Sequence, residues 1–319
     1  MIYFLIFCIL LIGELTYFKV ALQFKISDTP NNRSSHQIAT IRGGGIVFVF
    51  AVILFAIFSK LVYPYFVAGL LMIGLISFMD DVFNLGSRIR LFFQFLAILL
   101  LLFQWGPQPF EAIWYLAILI IIVGVVNAYN FMDGINGLTG LYSSLLICTL
   151  YYINENIVHF ISQQLLVIVF LSLVVFNIFN VRKFARCFAG DVGSISFALI
   201  AVFCIGSLIL KTGNINYILF LLIYGLDSLT TILFRLLRGE NIMEAHRSHF
   251  YQFLANEKGI PHVVVSLIYV FSQLAINVVV LLYVQNSNLS GFSLTIVSLF
   301  IFLCFRITLE KERLLRNKI

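Results

Sequence analysis

Residues 194–212 read Ser-Ile-Ser-Phe-Ala-Leu-Ile-Ala-Val-Phe-Cys-Ile-Gly-Ser-Leu-Ile-Leu-Lys-Thr, an apolar run whose first charge is Lys211. A helix rises about 1.5 Å per residue and a bilayer core is about 30 Å thick, so a run of this length can span a membrane. Just before it, Arg182, Lys183, Arg186 and Asp191 fill a short polar stretch, and before that a second apolar run covers 163–181. The alternation continues to both ends of the chain. Candidate helices fall at 2–22, 44–62, 65–79, 89–105, 112–127, 138–153, 163–181, 194–212, 216–236, 262–284 and 292–308. Composition agrees: 61% of the residues are hydrophobic and 11% charged, against about half and about a quarter in soluble domains. The expected fold is an all-α polytopic membrane bundle of ten or eleven helices. Without a long linker, low-complexity tract or internal repeat, the whole chain, 1–319, reads as one integral-membrane domain. The five cysteines form no CxxC pair, which argues against a disulfide framework or a zinc site. Cys8, Cys148, Cys204 and Cys304 read as packing residues and Cys187 as unremarkable.

The polar connections sort by charge. Taking alternate loops and adjoining span ends, one side of the membrane carries 18 of the 20 Lys and Arg residues, leaving Lys60 and Lys211 opposite. The positive-inside rule makes the rich side cytoplasmic, with the N-terminus outside and the C-terminus inside. The net charge of +6 is therefore topological and does not indicate a nucleic-acid partner. The first span lacks a basic leading segment and a small-residue cleavage site and reads as a retained helix. The outer connections are short and plain, so function is expected in the membrane or on the cytoplasmic face.

Five of the six aspartates lie at cytoplasmic helix ends or loops. Asp80 and Asp81 are adjacent after an apolar run. Neighbouring carboxylates repel unless they share a proton or a cation, and a divalent ion with oxygen ligands is the economical partner. Asn127, Asn130 and Asp133 are spaced by three, which puts them on one helix face, and Gly134 and Gly137 follow to allow close backbone approach. Arg182, Lys183 and Arg186 precede Gly190-Asp-Val-Gly-Ser194, where a glycine turn into a helix N-terminus would offer backbone N–H groups as a phosphate seat. The alternative for these cations is topology alone. In the longest cytoplasmic connection, His246, Arg247 and His249 read as diphosphate ligands in preference to a zinc pair. Asp227 lies inside the ninth span, where an acid is functional or paired, and Arg235 is its candidate partner. Glu14 in the first span reads as an interhelical hydrogen-bond site.

Together, Asp80-Asp81-x-x-Asn84, Asn127-x-x-Asn130-x-x-Asp133-Gly-x-x-Gly-Leu138, Gly190-Asp-x-Gly-Ser194 and the His246–Tyr251 loop resemble the polyprenyl-phosphate N-acetylhexosamine-1-phosphate transferase family. The resemblance begins at Asp28-x-Pro-x-x-Arg-x-x-His36 and Gly43-Gly-Gly45 and runs to about residue 261. It implies a multi-pass enzyme of the bacterial cytoplasmic (inner) membrane. Such an enzyme transfers a sugar-1-phosphate from a UDP-N-acetylamino sugar to undecaprenyl phosphate with Mg²⁺, or Mn²⁺ in its place, and releases UMP. A homodimer is compatible with it. By the same resemblance Asp80 contacts or activates the lipid phosphate, Asp81 supports the metal, and Asp191 is the leading Mg²⁺ ligand. Asn130 and Asp133 position nucleotide or metal, His249 and Arg247 hold the diphosphate, and Asn84, Asn127, Arg186 and His246 contact substrate. Direct attack by the lipid phosphate is favoured over a covalent aspartyl intermediate, because a phosphate oxygen is already ionised near neutral pH. Phe250, Tyr251 and Gln252 replace the histidine-richer cluster of many relatives. Asn136 stands where the peptidoglycan-precursor branch has an acid, which points away from a MurNAc-pentapeptide donor and towards enzymes that begin O-antigen or other surface polysaccharides. A secondary transporter is the rival from another class. It would place its polar residues near the midplane rather than at one face.

Overall fold

A computed structural model of the chain describes residues 1–28, 39–83, 85–109, 111–241, 247–284 and 287–314. All eleven apolar segments form helices. In chain order they are α1 (Ile2–Gln23), α2 (Ile46–Phe58), α3 (Pro64–Phe83), α4 (Ser87–Trp105), α5 (Ala112–Met132), α6 (Leu138–Asn156), α7 (Gln163–Asn180), α8 (Gly190–Thr212) and α9 (Leu222–Leu237). There follow a short turn α10 (Phe250–Gln252), then α11 (His262–Val279) and α12 (Asn288–Glu310). Local chemistry sets several ends. Pro64 opens α3, where its missing N–H costs nothing. Gly213 closes α8 in the left-handed conformation.

Among the described residues, nine helices are long and apolar enough to cross a membrane. The other two differ for separate reasons. α2 has only 13 residues and is shorter than its predicted 44–62 run. α6 is long enough, but Thr139, Ser143, Ser144, Thr149 and Asn154 dilute its apolar character, and most of these face the interior. The bundle centres on α8, 83% of whose most apolar stretch is buried, against 6% for α12 at the periphery. α8 packs on α3 and α5, α3 on α4, and α6 on α7 and α11.

A small β element ties the connections at one end. β1 (Ser27–Asp28) pairs antiparallel with β2 (Thr40–Ile41), and Ile41 bridges in parallel to Cys187. The ladder continues as Gly44 N–H donates to Phe188 O at 2.8 Å and Gly45 N–H to Ala189 O at 3.0 Å. Gly45 and Gly193 then meet backbone to backbone: a Cβ on Gly45 would lie 2.2 Å from the Gly193 Cα. The glycines before α2 and at the start of α8 thus let the first connection lie directly on the helix end that carries Asp191. Cys187 is buried in this seam with its thiol 3.9 Å from Glu14 of α1, consistent with a packing role.

Candidate active site

α3 does not stop at Met79; it continues through Asp80 and Asp81 to Phe83. Both acids are buried in its last turn, and each has a cationic partner. The Asp81 carboxylate is fully enclosed and pairs with Arg42 Nε at 2.7 Å. It also accepts from the Asp191 and Val192 backbone N–H groups, each at 3.0 Å. A carboxylate across the positive end of α8 is electrostatically favourable. It also corrects the phosphate-seat expectation, because these first N–H groups of α8 are occupied by Asp81. Gly190 makes the contact: its φ is +71°, and a Cβ there would lie 2.6 Å from Asp81 Oδ2.

Asp80 and Asp191 face each other across one guanidinium. Arg90 Nη1, from the first turn of α4, lies 2.9 Å from Asp80 Oδ2 and 3.0 Å from Asp191 Oδ2. Arg42 Nη2 is 3.8 Å from the other Asp191 oxygen. Three carboxylates against two guanidinium groups leave one surplus negative charge, and both arginines are about a third exposed, at the mouth of the site. The sequence reading counted Arg42 and Arg90 only as topological charge. The available signals were Arg42 directly before Gly43-Gly-Gly45 and Arg90 just across the α3–α4 turn from Asp80.

α5 runs past Asn127 and Asn130 and is capped by Asp133. Asn130 Oδ1 accepts from Ser194 Oγ at 2.8 Å, tying α5 to the first turn of α8. Asn127 donates instead to Val123 O of its own helix at 2.8 Å. Asp133 is half-buried, and its carboxyl is pushed up to about 6, first by burial, with the negative charge of Asp81 adding to the effect. Asn136 does not turn towards this cluster: its Nδ2 donates to the carbonyls of Arg182 at 2.9 Å and Lys183 at 3.3 Å. Arg186 is exposed, and its backbone bridges Phe179 and Ile41.

The histidine segment docks against the end of α5. Tyr251 OH donates to Phe131 O at 2.9 Å, and the rings of Phe131 and His249 are 6.3 Å apart. Asp227 is paired, but not with Arg235. Its carboxylate receives His249 Nδ1 at 3.2 Å, the Phe250 and Tyr251 N–H groups at 3.0 and 3.2 Å, Thr231 Oγ1 at 3.1 Å and Tyr269 OH at 2.6 Å. Arg235, itself buried, pairs with Glu240 at 3.0 Å. The intramembrane acid is thus the anchor of the histidine segment, a link between residues 22 positions apart that spacing alone does not reveal. Arg247 stands in the same segment, its carbonyl accepting from Arg313 at 3.0 Å. Asn84 and His246 lie outside the described residues, as do Pro30, Arg33 and His36 of the first connection.

Residues 63–208, from the start of α3 through most of α8, match the family model described as glycosyl transferase family 4. The chain is 30% identical over 241 residues to a phospho-N-acetylmuramoyl-pentapeptide-transferase of Thermotoga neapolitana, covering 67% of this chain and 76% of that one. The chain belongs to glycosyl transferase family 4. It is also 23% identical over 257 residues to a probable undecaprenyl-phosphate N-acetylglucosaminyl 1-phosphate transferase of Bacillus subtilis, covering 74% and 71% of the two chains. Another relative is the undecaprenyl-phosphate alpha-N-acetylglucosaminyl 1-phosphate transferase of Yersinia pestis, 32% identical over 139 residues and 38% of each chain. Family 4 membership and the nine apolar helices make it a multi-pass protein of the bacterial inner membrane and a transferase of this class. The family match takes in Asp80, Asp81, Asp133 and Asp191 and ends before His249.

Among the described residues, no three His, Cys, Asp or Glu side chains are arranged to enclose a metal ion. The donor chemistry nevertheless suits a hard divalent cation. Asp80 and Asp191 each offer a carboxylate oxygen to the same point, where Arg90 Nη1 lies, and Mg²⁺ takes one or two carboxylates together with substrate phosphates. Arg90 has to withdraw for an ion to take that place.

Proposed function

We propose that the protein transfers an N-acetylamino-sugar-1-phosphate from a UDP-sugar to undecaprenyl phosphate at the cytoplasmic face and releases UMP, with residues 1–319 acting as one membrane-embedded domain. The observation that carries this reading is the meeting of Asp80, Asp81 and Asp191 with Arg42 and Arg90 at the joined ends of α3, α4 and α8. Both reactants are phosphate anions that repel each other, so the site must supply cations and alignment rather than covalent chemistry. A helix end at the membrane boundary can meet a lipid phosphate from the bilayer and a nucleotide from water.

Asp80 and Asp191 would hold Mg²⁺, while Asp81, spent on Arg42 and two backbone N–H groups, fixes the α8 end that presents Asp191. The bound ion supplies charge neutralisation at the diphosphate. Arg90, released from Asp80 and Asp191, and Arg42, held at the mouth of the site by Asp81, bind the lipid phosphate and the donor diphosphate. An ionised oxygen of the lipid phosphate attacks the phosphorus attached to the sugar. A new P–O bond forms at that phosphorus, the bond from the same phosphorus to the bridging oxygen breaks, and UMP leaves with the bridging oxygen on its own phosphorus. No general base is required, since the attacking oxygen carries no proton near neutral pH. Asn130 and Asp133 position the nucleotide. His249, its ring fixed through Nδ1 by Asp227, turns Nε2 to the diphosphate, with Arg247 beside it.

The donor we favour is UDP-GlcNAc or a deoxy amino-sugar relative, serving O-antigen or another surface polysaccharide. A MurNAc-pentapeptide donor is the second reading, and the 30% identity to the Thermotoga neapolitana transferase favours it. Asn136 does not discriminate between them, because its side chain is engaged by the 182–183 carbonyls. The test is mass analysis of the lipid product after incubating purified protein with undecaprenyl phosphate and each UDP-sugar in turn. A lipid diphosphate carrying one of the amino sugars is the expected product. Product from UDP-MurNAc-pentapeptide alone would replace the favoured donor with the second.

A further inference from the structure

We propose that Arg306 of α12 is a positioning residue for the transfer reaction, acting on His249 from behind the site; the proposal rests on the placement of His249 in the reading above. α12 is the most lipid-exposed long helix, yet Arg306 is 1% exposed and Glu310, one turn on, 5%. An ionisable group within a membrane span is costly and turns inward to a partner. Neutralising Glu310, 2.6 Å from Arg306 Nε, uses one arm of the guanidinium. The remaining arms reach past it. Nη1 donates to Thr230 Oγ1 at 2.8 Å and Thr231 Oγ1 at 2.9 Å, and Nη2 donates to Ser248 O at 2.9 Å.

Two of these bonds converge on His249. Thr231 has a single hydroxyl hydrogen. Because its oxygen accepts from Arg306, that hydrogen is directed to Asp227 Oδ1 at 3.1 Å, the oxygen that also holds His249 Nδ1 at 3.2 Å and Phe250 N–H at 3.0 Å. Ser248 is the residue before His249, and its carbonyl is fixed directly. Arg313 continues the clamp, donating to Arg247 O at 3.0 Å and pairing with Glu310 at 3.1 Å. Residues 247, 248 and 249 are therefore each held from α12 or its C-terminal extension, the first two by their carbonyls and the third through Thr231 and Asp227. A lysine keeps the charge of Arg306 but is a single point donor, unable to serve Glu310, both threonines and Ser248 together.

The test is made on the full chain in lipid nanodiscs with two variants, Arg306→Lys and Thr231→Val, the second removing only the hydroxyl relay. For each, kcat and KM are measured beside hydrogen exchange at the amides of residues 249–252, with the ends of α3 and α8 as internal reference. We expect Arg306→Lys to lower kcat by about tenfold or more with KM for both substrates within about twofold, the signature of lost transition-state geometry. Thr231→Val should lower kcat by about threefold in the same pattern. Exchange at Phe250 and Tyr251 should quicken in both while the α3 and α8 ends stay protected. Wild-type kcat in both variants, a rise in KM at constant kcat, or a kcat loss without faster exchange at Phe250 and Tyr251 would each overturn the proposal. If Arg306→Lys does not insert, Thr231→Val decides by the same criteria. If the wild type transfers no sugar phosphate, it is the functional reading that has failed, and unchanged exchange in the variants would still refute the clamp.

Discussion

Asp81 and Asp191 present the same carboxylate to different surroundings, and the difference predicts how each fails. Asp81 uses one oxygen for the Asp191 N–H and the other for the Val192 N–H. An asparagine has a single acceptor, so its amide would meet a donor. Asp81→Asn should cost about 1–3 kcal/mol of stability and abolish turnover. Asp191, whose side chain is 14% exposed, should tolerate Asn with little change in melting temperature and still lose at least about a hundredfold in activity. Thermal unfolding and turnover measured on both variants check the split: near-normal turnover of Asp191→Asn removes Asp191 from the metal site, and near-normal turnover of Asp81→Asn removes Asp81 as the support of the α8 end. Asp133 offers a pH test. Its pKa is raised to about 6, so between pH 4 and 6 the folded protein binds more protons than the unfolded chain, and stability falls as pH rises through that window. Asp133→Asn should therefore raise the melting temperature above pH 6, have no stabilising effect below pH 4, and yet reduce activity. A melting temperature unchanged by the substitution at pH 7.5 would contradict the buried-charge account. The acids were legible in the sequence because carboxylates gathered at apolar helix ends need an explanation. Arg42 and Arg90 were not, because the topology of the membrane already accounted for every basic residue on that side.

At the scale of elements, the connections are lashed to one another rather than lying free. Asn180 Oδ1 accepts from Gly137 N–H at 2.7 Å, its Nδ2 donates to Cys187 O at 2.9 Å, and Asn136 holds the Arg182 and Lys183 carbonyls. The two asparagines join the turn after α5 to the connection before α8. Asn136→Asp would set a carboxylate against two carbonyl oxygens, and we expect a loss of about 1–3 kcal/mol with the order of donor preference unchanged. A switch of preferred donor, read in a panel of UDP-sugars, would restore Asn136 as a specificity residue. The helices themselves were plain from apolar runs, and all eleven are present. Their ends were less so. Apolar counting stops α3 at Met79 and starts α8 at Ser194, whereas paired charges let α3 continue to Phe83 and a capped N-terminus lets α8 begin at Gly190. Hydropathy does not register a carboxylate whose cation comes from another helix, and that is why the site residues fell outside the expected spans.

Over the whole molecule, the acid-bearing ends of α3, α5 and α8 and the histidine segment gather at one end of the bundle, and nearly all the basic residues fall in the connections of that end. Lys60 and Lys211 belong to the opposite one. We assign the first end to the cytoplasm by the positive-inside rule. A membrane-impermeant thiol reagent applied to intact spheroplasts should label Lys60→Cys, and should label the exposed Arg186→Cys only after permeabilisation. The reverse pattern would invert the topology and put the site on the wrong side of the membrane for a cytoplasmic nucleotide sugar. The polytopic all-α architecture was readable from composition alone. Which side chains pair at the site was not, because that depends on which helix ends meet, and apolar periodicity carries no record of it. The most direct measurement is UMP release by the purified protein given UDP-GlcNAc and the other UDP-amino sugars, with undecaprenyl phosphate present or absent and with Mg²⁺ or EDTA. The account predicts release with one donor that requires both the lipid and the metal. Release that continues without the lipid, or none with any donor from folded protein, would contradict it.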